Sequence, residues 1–374
     1  MYKFGSIIIT LFLTLSGLSQ GITRLEIKSL PVHPSAENFY AAGSFNGWNP
    51  QDEQYKFKKD AAGNYFLELR LNSGQYEYKI TRGGWDKVEC RKGGAGIENR
   101  VMLIPTNTRL ELTIEEWEDQ LPAKSKVSTA SKNVCIIDTA FFIPQLQRTR
   151  RIWIYLPPSY CDGSDKKYPV LYMHDGQNLF EDSSSFSGEW GVDEYFDTAK
   201  VKECIVVGID NGNNKRLNEY NPYDNERFGK GEGNLYADFL VKTLKPFIDR
   251  RFRTRRNKEN TFVAGSSMGG LISMYAVLKY PKVFGGVGVF SPAFWVAPPI
   301  YEEIKSRGNK IKGRIYFYAG KQEGESMVPD ILKAFGEIGA VSKSKMTILI
   351  RDDGKHNELT WRKEFPLFYE WMVK

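Results

Sequence analysis

Histidine is scarce in this chain: among 374 residues there are three, His33, His174 and His356, widely separated from one another. That scarcity excludes a histidine-rich metal centre, and no His-Glu-x-x-His run or close cysteine pair supplies zinc ligands in its place, so neither metal nor cofactor is expected. The four cysteines, Cys90, Cys135, Cys161 and Cys204, are too few for a disulfide-stapled scaffold. In an exported protein they would allow three full pairings, among which the sequence does not choose. Cys204 lies at an apolar run and reads as a buried thiol. The apolar stretch Ile7–Leu15 is too short for a spanning helix, and there is no internal repeat or low-complexity tract.

What is present is a serine at a sharp change of periodicity. Asn260-Thr-Phe-Val-Ala-Gly265 is a short apolar run that predicts a buried strand, and Leu271-Ile-Ser-Met-Tyr-Ala-Val-Leu278 has the length of a packed helix. Between them stands Gly265-Ser-Ser267-Met-Gly269, a nucleophile elbow in which small residues let the backbone turn tightly enough to lift the Ser267 hydroxyl.

A serine hydroxyl needs a base, and a histidine is the usual one. His33, in Pro31-Val-His-Pro34, lies far from the elbow in another region of the chain. His174 ends the run Tyr168–His174 and leads into Asp175-Gly176-Gln177-Asn178, where this class of fold builds donors for an oxyanion. His356 follows the strand pattern Lys345–Arg351 in a polar loop ahead of a Trp- and Phe-rich helix, the place for the base. The orienting acid should come between Ser267 and His356. The strand Gly313–Ala319 opens into Gly320-Lys-Gln-Glu323-Gly-Glu325, so Glu323 is the preferred acid, Glu325 its alternative, and Asp330 disfavoured because its surroundings read as helical.

Four blocks, Arg151-Ile-Trp-Ile-Tyr-Leu-Pro-Pro158, Tyr168–Phe180, Gly188-Glu-Trp-Gly191 and Gly265–Gly270, resemble the esterase D group of α/β-hydrolases, which takes in enterochelin, feruloyl and acetyl-xylan esterases. The resemblance covers about residues 134 to 374. It implies Ser267 as nucleophile, His356 as base and the Glu323 loop as acid, with Glu where several feruloyl esterases have Asp. It also implies an oxyanion hole from the backbone N–H of Met268 and of Gly176 or Gln177, no metal, and an ester substrate.

The N-terminal third reads differently. Residues 1–19 carry one basic residue, a short apolar core and small residues, the pattern of a signal peptide, with no cysteine at its end for a lipid anchor. Export to the periplasm or exterior, without a stable membrane anchor, is therefore expected. Residues 24–115 alternate short strand patterns with turns and predict a small immunoglobulin-like β-sandwich. Gly43-Ser-Phe-Asn-Gly-Trp-Asn-Pro50 with Tyr76-Glu-Tyr-Lys-Ile80 and Gly84-Trp-Asp resembles the glycogen-binding modules related to the AMP-activated kinase β subunit. That resemblance implies glycan contacts at Trp48, Lys79, Trp85 and Asn99, although such sandwiches also serve as spacers.

Residues 116–133, rich in Ser and Lys, read as a linker, and residues 134–374 as one α/β domain, an α/β-hydrolase fold with a mostly parallel sheet. The net charge of +7 includes the run Arg250–Arg256, which between Asp249 and Glu259 reads as a solvated turn and not a nucleic-acid contact. Phe180, Trp190, Tyr220, Tyr223 and Trp295 are candidates for the mouth of the site or for core. The resulting expectation is an exported serine esterase acting on feruloyl or acetyl esters of plant glycans. A siderophore esterase of the enterochelin type is the second reading, and a non-catalytic glycan-binding protein on a hydrolase scaffold the third.

Overall fold

A computed structural model describes residues 20–31, 38–94, 97, 99–104, 106, 108–120, 128–186, 188–226 and 228–374. The expected signal peptide, His33 and residues 121–127 of the expected linker lie outside the described residues. The chain divides into two compact units, Met1–Lys124 and Ser125–Lys374.

The first unit is all-β. Its strands are β1 (Gln20–Ser29), β2 (Tyr40–Gly43), β3 (Lys58–Lys59), β4 (Tyr65–Asn72), β5 (Gly74–Thr81), β6 (Glu89–Cys90), β7 (Arg100–Ile104), β8 (Arg109–Thr113) and β9 (Glu116–Trp117). One sheet has the order β3-β4-β1-β8, a second β2-β5-β7, and β6 pairs with β9. Two-residue periodicity decides which faces meet: in β4, Leu67 and Leu69 are buried while Glu68 and Arg70 face solvent. Leu25, Leu67 and Leu69 from one sheet and Ala41, Tyr78, Ile80 and Met102 from the other share a single core.

The segment expected to be a linker is ordered at both ends. Glu116–Trp117 is a strand, and Trp117, 2% exposed, stacks on Phe39 at 5.4 Å inside the core of the first unit. In the second unit the Ser128 hydroxyl donates to Glu181, Thr129 Oγ1 donates to Glu189 at 3.2 Å and the Ser131 amide donates to Asp193 at 2.7 Å. Composition marked these residues as loose because the partners of this Ser- and Thr-rich strap lie some 50 to 60 residues away in sequence.

The second unit is α/β. Its strands are β10 (Val134–Ile143), β11 (Arg148–Tyr155), β12 (Val170–His174), β13 (Ile205–Ile209), β14 (Thr261–Ser266), β15 (Gly286–Phe290), β16 (Arg314–Gly320) and β17 (Lys345–Arg351). Its helices are α1 (Val192–Thr198), α2 (Arg216–Tyr220), α3 (Gly233–Phe239), α4 (Lys245–Arg251), α5 (Met268–Lys279), α6 (Ile300–Arg307), α7 (Met327–Val341) and α8 (Glu358–Val373). The eight strands form one sheet of order β10-β11-β13-β12-β14-β15-β16-β17, in which β11 runs against its neighbours and β13 to β17 are parallel. Continuous apolar runs such as β13, buried at every position, suit a sheet covered on both faces.

One face packs against α3 to α7, with Phe239, Leu271, Ile304 and Ile338 in the core, and the other against α1 and α8, with Phe196, Phe365 and Phe368. Each such fully buried side chain contributes about 1.5–3 kcal/mol of transfer free energy. The helix after the elbow, α5, is buried from Met268 through Leu278, which is why it is apolar all round. All four cysteines are free thiols; Cys204 is fully buried, and burial pushes its thiol up to about 12, where it is inert.

Candidate active site

Three adjacent strands end in non-glycine residues with left-handed backbone: Asp175 (φ 60°) after β12, Ser267 (φ 57°) after β14 and Ser291 (φ 43°) after β15. Each such conformation costs roughly 1–3 kcal/mol, and it persists only where the surroundings hold it. Neighbouring strands do the holding: the Ser267 amide donates to the Phe290 carbonyl at 2.9 Å, and the Ser291 amide to the Tyr318 carbonyl at 2.7 Å. The strained turns share the carboxyl edge of a parallel sheet, where α/β folds place their chemistry.

Ser267 is the residue immediately before α5, and its carbonyl accepts from Gly270, Leu271 and Ala293 at 3.1 Å each. Two glycines make the turn possible. A methyl group on Gly265 would stand 2.8 Å from the Gly269 backbone, and one on Gly269 would stand 3.1 Å from His174 Cβ and 3.3 Å from Asp175 Oδ2. The start of α5 therefore packs directly on the turn after β12. Met268 is the first residue of the helix, where amides have no intrahelical acceptor, and Gly176–Asn178 is a single 3₁₀ turn presenting Gly176 and Gln177 on the same edge. Gly176 leaves no room for a side chain, since a Cβ would meet the Gly208 and Ile209 backbone at 2.7 Å.

On the adjoining strands, His356 Nδ1 lies 2.8 Å from Glu323 Oε2, and the Glu323 side chain is fully buried. Glu323 Oε1 accepts from the Gly320 amide at 2.7 Å and the Ser291 hydroxyl at 2.8 Å. With a carboxylate as its partner, Nδ1 is the donor, and the lone pair falls to Nε2. The Trp361 indole donates to Ser291 Oγ at 2.9 Å and meets the His356 ring edge-on at 5.1 Å. Of the two acids left open by sequence, Glu323 partners His356, while Glu325 is exposed; Asp330 lies in α7, bound to Tyr301.

His174 has a different role. It is 2% exposed, its Nδ1 lies 3.1 Å from the Tyr236 hydroxyl, and burial pushes it down to about 4, so it is neutral at physiological pH. Asp175 is gripped by Arg216 through two bonds of 2.7 Å and by Asn211 at 2.7 Å. The Arg216 charge keeps its carboxyl below the usual range against the opposing effect of burial. Residue type hinted at none of this: Ser291, Trp361 and Arg216 stand well apart from the elbow in sequence, and only the adjacency of the strand ends brings them in.

Of the aromatic residues expected at the mouth, Phe180, Trp190 and Tyr220 are core, and the Tyr223 hydroxyl donates to Glu303 at 2.7 Å. Trp295 remains half-buried two residues beyond Ala293, edge-on to Phe228 at 6.0 Å. In the first unit Trp48 and Trp85 lie side by side, half-buried, with centroids 6.2 Å apart. Lys79 is buried at 6% exposure in β5, on the face opposite Tyr78 and Ile80, and the Asn99 amide donates to Glu77 at 2.9 Å. Within the Arg250–Arg256 run, Arg253 and Arg255 donate to the Lys166 and Lys167 carbonyls at 3.3 and 2.9 Å, bracing a neighbouring loop. Among the described residues no cluster of three or more His, Cys, Asp or Glu could hold a metal ion, and no helix is long and apolar enough to cross a membrane.

A family model described as "Putative esterase" matches residues 143–366. The chain is 29% identical over 241 residues to the uncharacterized protein YbbA of Bacillus subtilis, covering 60% of this chain and 92% of the relative. It is 29% identical over 258 residues to the endo-1,4-beta-xylanase/feruloyl esterase of Xylanibacter ruminicola, covering 66% of this chain and 33% of that protein. Among solved structures it resembles the enterobactin esterase FES of Shigella flexneri, with a TM-score of 0.51 and 17% identity over 87% of this chain and 85% of that one.

Proposed function

The chain belongs to the esterase family and is an ester hydrolase, and from that premise we propose that Ser267 is its nucleophile, His356 its general base and Glu323 the acid that orients the base. The observation that carries this reading is the buried Glu323 carboxylate, 2.8 Å from His356 Nδ1, on the same sheet edge as a serine held in strained backbone. In the first half-reaction the Ser267 oxygen bonds to the ester carbonyl carbon while Nε2 of His356 takes its proton; the C–O bond to the alcohol then breaks and the alcohol leaves with that proton. In the second, water attacks the acyl-serine, His356 again accepts the proton, and the acid is released as Ser267 recovers its hydrogen. The Met268 amide, with that of Gly176 or Gln177, would face the tetrahedral oxygen, and each such donor is worth about 3 kcal/mol.

The substrate we propose is a feruloyl or acetyl ester carried on plant polysaccharide or oligosaccharide, met by an exported enzyme. Half-buried Trp295 and Phe228, close to the backbone that holds Ser267, support an aromatic acyl group. The feruloyl esterase named in the Xylanibacter relative and the paired Trp48 and Trp85 support a glycan-linked one. A catecholate siderophore ester is the second reading, favoured by the net charge of +7, which would attract an anionic substrate.

The test is hydrolysis of methyl ferulate, p-nitrophenyl acetate, acetylated xylan and enterochelin by wild type and by Ser267→Ala, with fluorophosphonate labelling beside it. Labelling and turnover lost together in Ser267→Ala support the assignment, and the preferred ester decides between the two substrate readings. Full turnover by Ser267→Ala would overturn the nucleophile. Glycan binding without turnover or labelling in wild type would point instead to a binding protein on a hydrolase scaffold.

A further inference from the structure

Glu358 is a buried carboxylate for which the ester chemistry described above provides no task. It is the first residue of α8, two positions beyond His356, and 6% exposed. Its Oε1 accepts from Asn178 Nδ2 at 2.9 Å. Asn178, also 6% exposed, closes the turn that carries Gly176 and Gln177. Its own side-chain oxygen accepts the Phe186 amide at 3.1 Å, and its carbonyl accepts the Trp190 amide at 2.8 Å. One bridge thus joins the turn after β12, the backbone of Phe186 and Trp190 and the start of the helix that follows the histidine.

Charged groups on three elements act on Glu358. Asp175, in the turn, repels its charge; Arg216, at the start of α2, attracts it but is engaged by Asp175; and His356, in the loop preceding α8, attracts it when protonated. Burial, with the Asp175 charge adding to it, pushes the Glu358 carboxyl up to about 7. Its charge therefore changes near neutral pH, beside the loop that carries His356.

We propose that Glu358 is a positioning residue for the ester reaction: through Asn178 it ties the turn bearing the oxyanion amides to the loop bearing His356, and its negative charge favours the imidazolium that forms when His356 takes the serine proton. This rests on the reading of His356 as the base. Glu323 holds the ring from the Nδ1 side; Glu358 acts at longer range, on charge and on the spacing between the two halves of the site.

The variant that separates charge from packing is Glu358→Gln, which keeps the size and the acceptor for Asn178. Removing a negative charge near an imidazole disfavours its protonated form, so the acid limb of kcat/KM should move to lower pH by roughly half a unit. It should also become a single ionisation, with kcat down by about fivefold or more at pH 8 and no fall in Tm. An acid limb that does not move, with kcat within about twofold of wild type, overturns the charge role. Asn178→Ala tests the tie: about a tenfold loss of kcat with the acid limb in place is expected, and wild-type kcat overturns it. Fluorophosphonate labelling of wild-type Ser267 keeps the two levels apart. A wild type that neither labels nor turns over any ester overturns the esterase site and this proposal together, whereas normal labelling with an unmoved Glu358→Gln profile overturns this proposal alone.

Discussion

The Ser291 hydroxyl sits between the Trp361 indole, from which it accepts at 2.9 Å, and the Glu323 carboxylate, to which it donates at 2.8 Å. Ser291 has a left-handed backbone, is fully buried and ends the strand between those that carry Ser267 and Glu323. Ser291→Ala would leave a buried indole N–H unpaired and take one of three donors from Glu323, at about 1–3 kcal/mol. The expected outcome is a lower Tm together with a severalfold drop in kcat, read by thermal denaturation and steady-state kinetics on one preparation.

The two carboxylates of the 320–326 loop should separate sharply. Glu323→Gln removes the charge that fixes the His356 tautomer and should lower kcat by roughly 10²–10⁴-fold with little change in KM. Glu325→Gln changes an exposed side chain and should remain within about twofold of wild type. Equal losses in the two variants would show that the acid has been misassigned.

Glycine substitutions should act in opposite directions at different places. A methyl group at Gly176 would drive into the Gly208 and Ile209 backbone at 2.7 Å, so Gly176→Ala should cost about 1–3 kcal/mol and most of the activity by displacing the turn. Gly336 lies in α7, where a methyl group would have nothing within 4 Å, and Gly336→Ala should stabilise the chain by roughly 0.5–1 kcal/mol with activity unchanged. Urea denaturation midpoints with matched slopes would check both.

Stability should also depend on pH through the acidic residues that hold the Ser128–Ser131 strap. Burial, and the neighbouring Glu194, push Glu189 and Asp193 well above the ordinary carboxylate range. Above about pH 4.5 the unfolded chain releases these protons while the folded chain keeps them, so the native state binds more and stability falls as pH rises toward 8. Glu189→Gln removes one such group. Its Tm relative to wild type should be near zero at pH 4 and rise steadily to pH 8, by at least ~1 kcal/mol equivalent. A flat difference across that range would show that Glu189 is not held protonated by the fold.

Local pattern was enough to place the elements around Ser267 and His356. The apolar run ending at Gly265, the helix beyond it and the strand Lys345–Arg351 ahead of His356 all stand where the periodicity put them; the first two are buried in and against a sheet covered on both sides, and the third is its half-buried edge strand. Chain order narrowed the acid to the 320–326 loop, and the turn at Gly320 put Glu323 ahead of Glu325 without separating them by any contact. The contacts are tertiary: the Gly320 amide, the Ser291 hydroxyl and His356 all meet Glu323.

Composition put the junction of the two units within 116–133, where the chain divides, but was silent on contacts whose partners are remote. The Ser- and Thr-rich strap at 128–131 reads as a linker until Glu181, Glu189 and Asp193 are brought beneath it, and Trp117 reads as the start of that linker until Phe39 stacks on it. The aromatic residues divide for the same reason, Phe180, Trp190 and Tyr220 into core while Trp295 stays half-buried. By itself, then, the sequence determined the fold class, the strand–turn–helix at Ser267 and the place of His356 between a strand and the last helix, because those depend on short-range periodicity and chain order. The tertiary structure decided which carboxylate meets His356, the Ser291–Trp361 contact and the Asn178–Glu358 bridge, because those depend on which strand ends become neighbours.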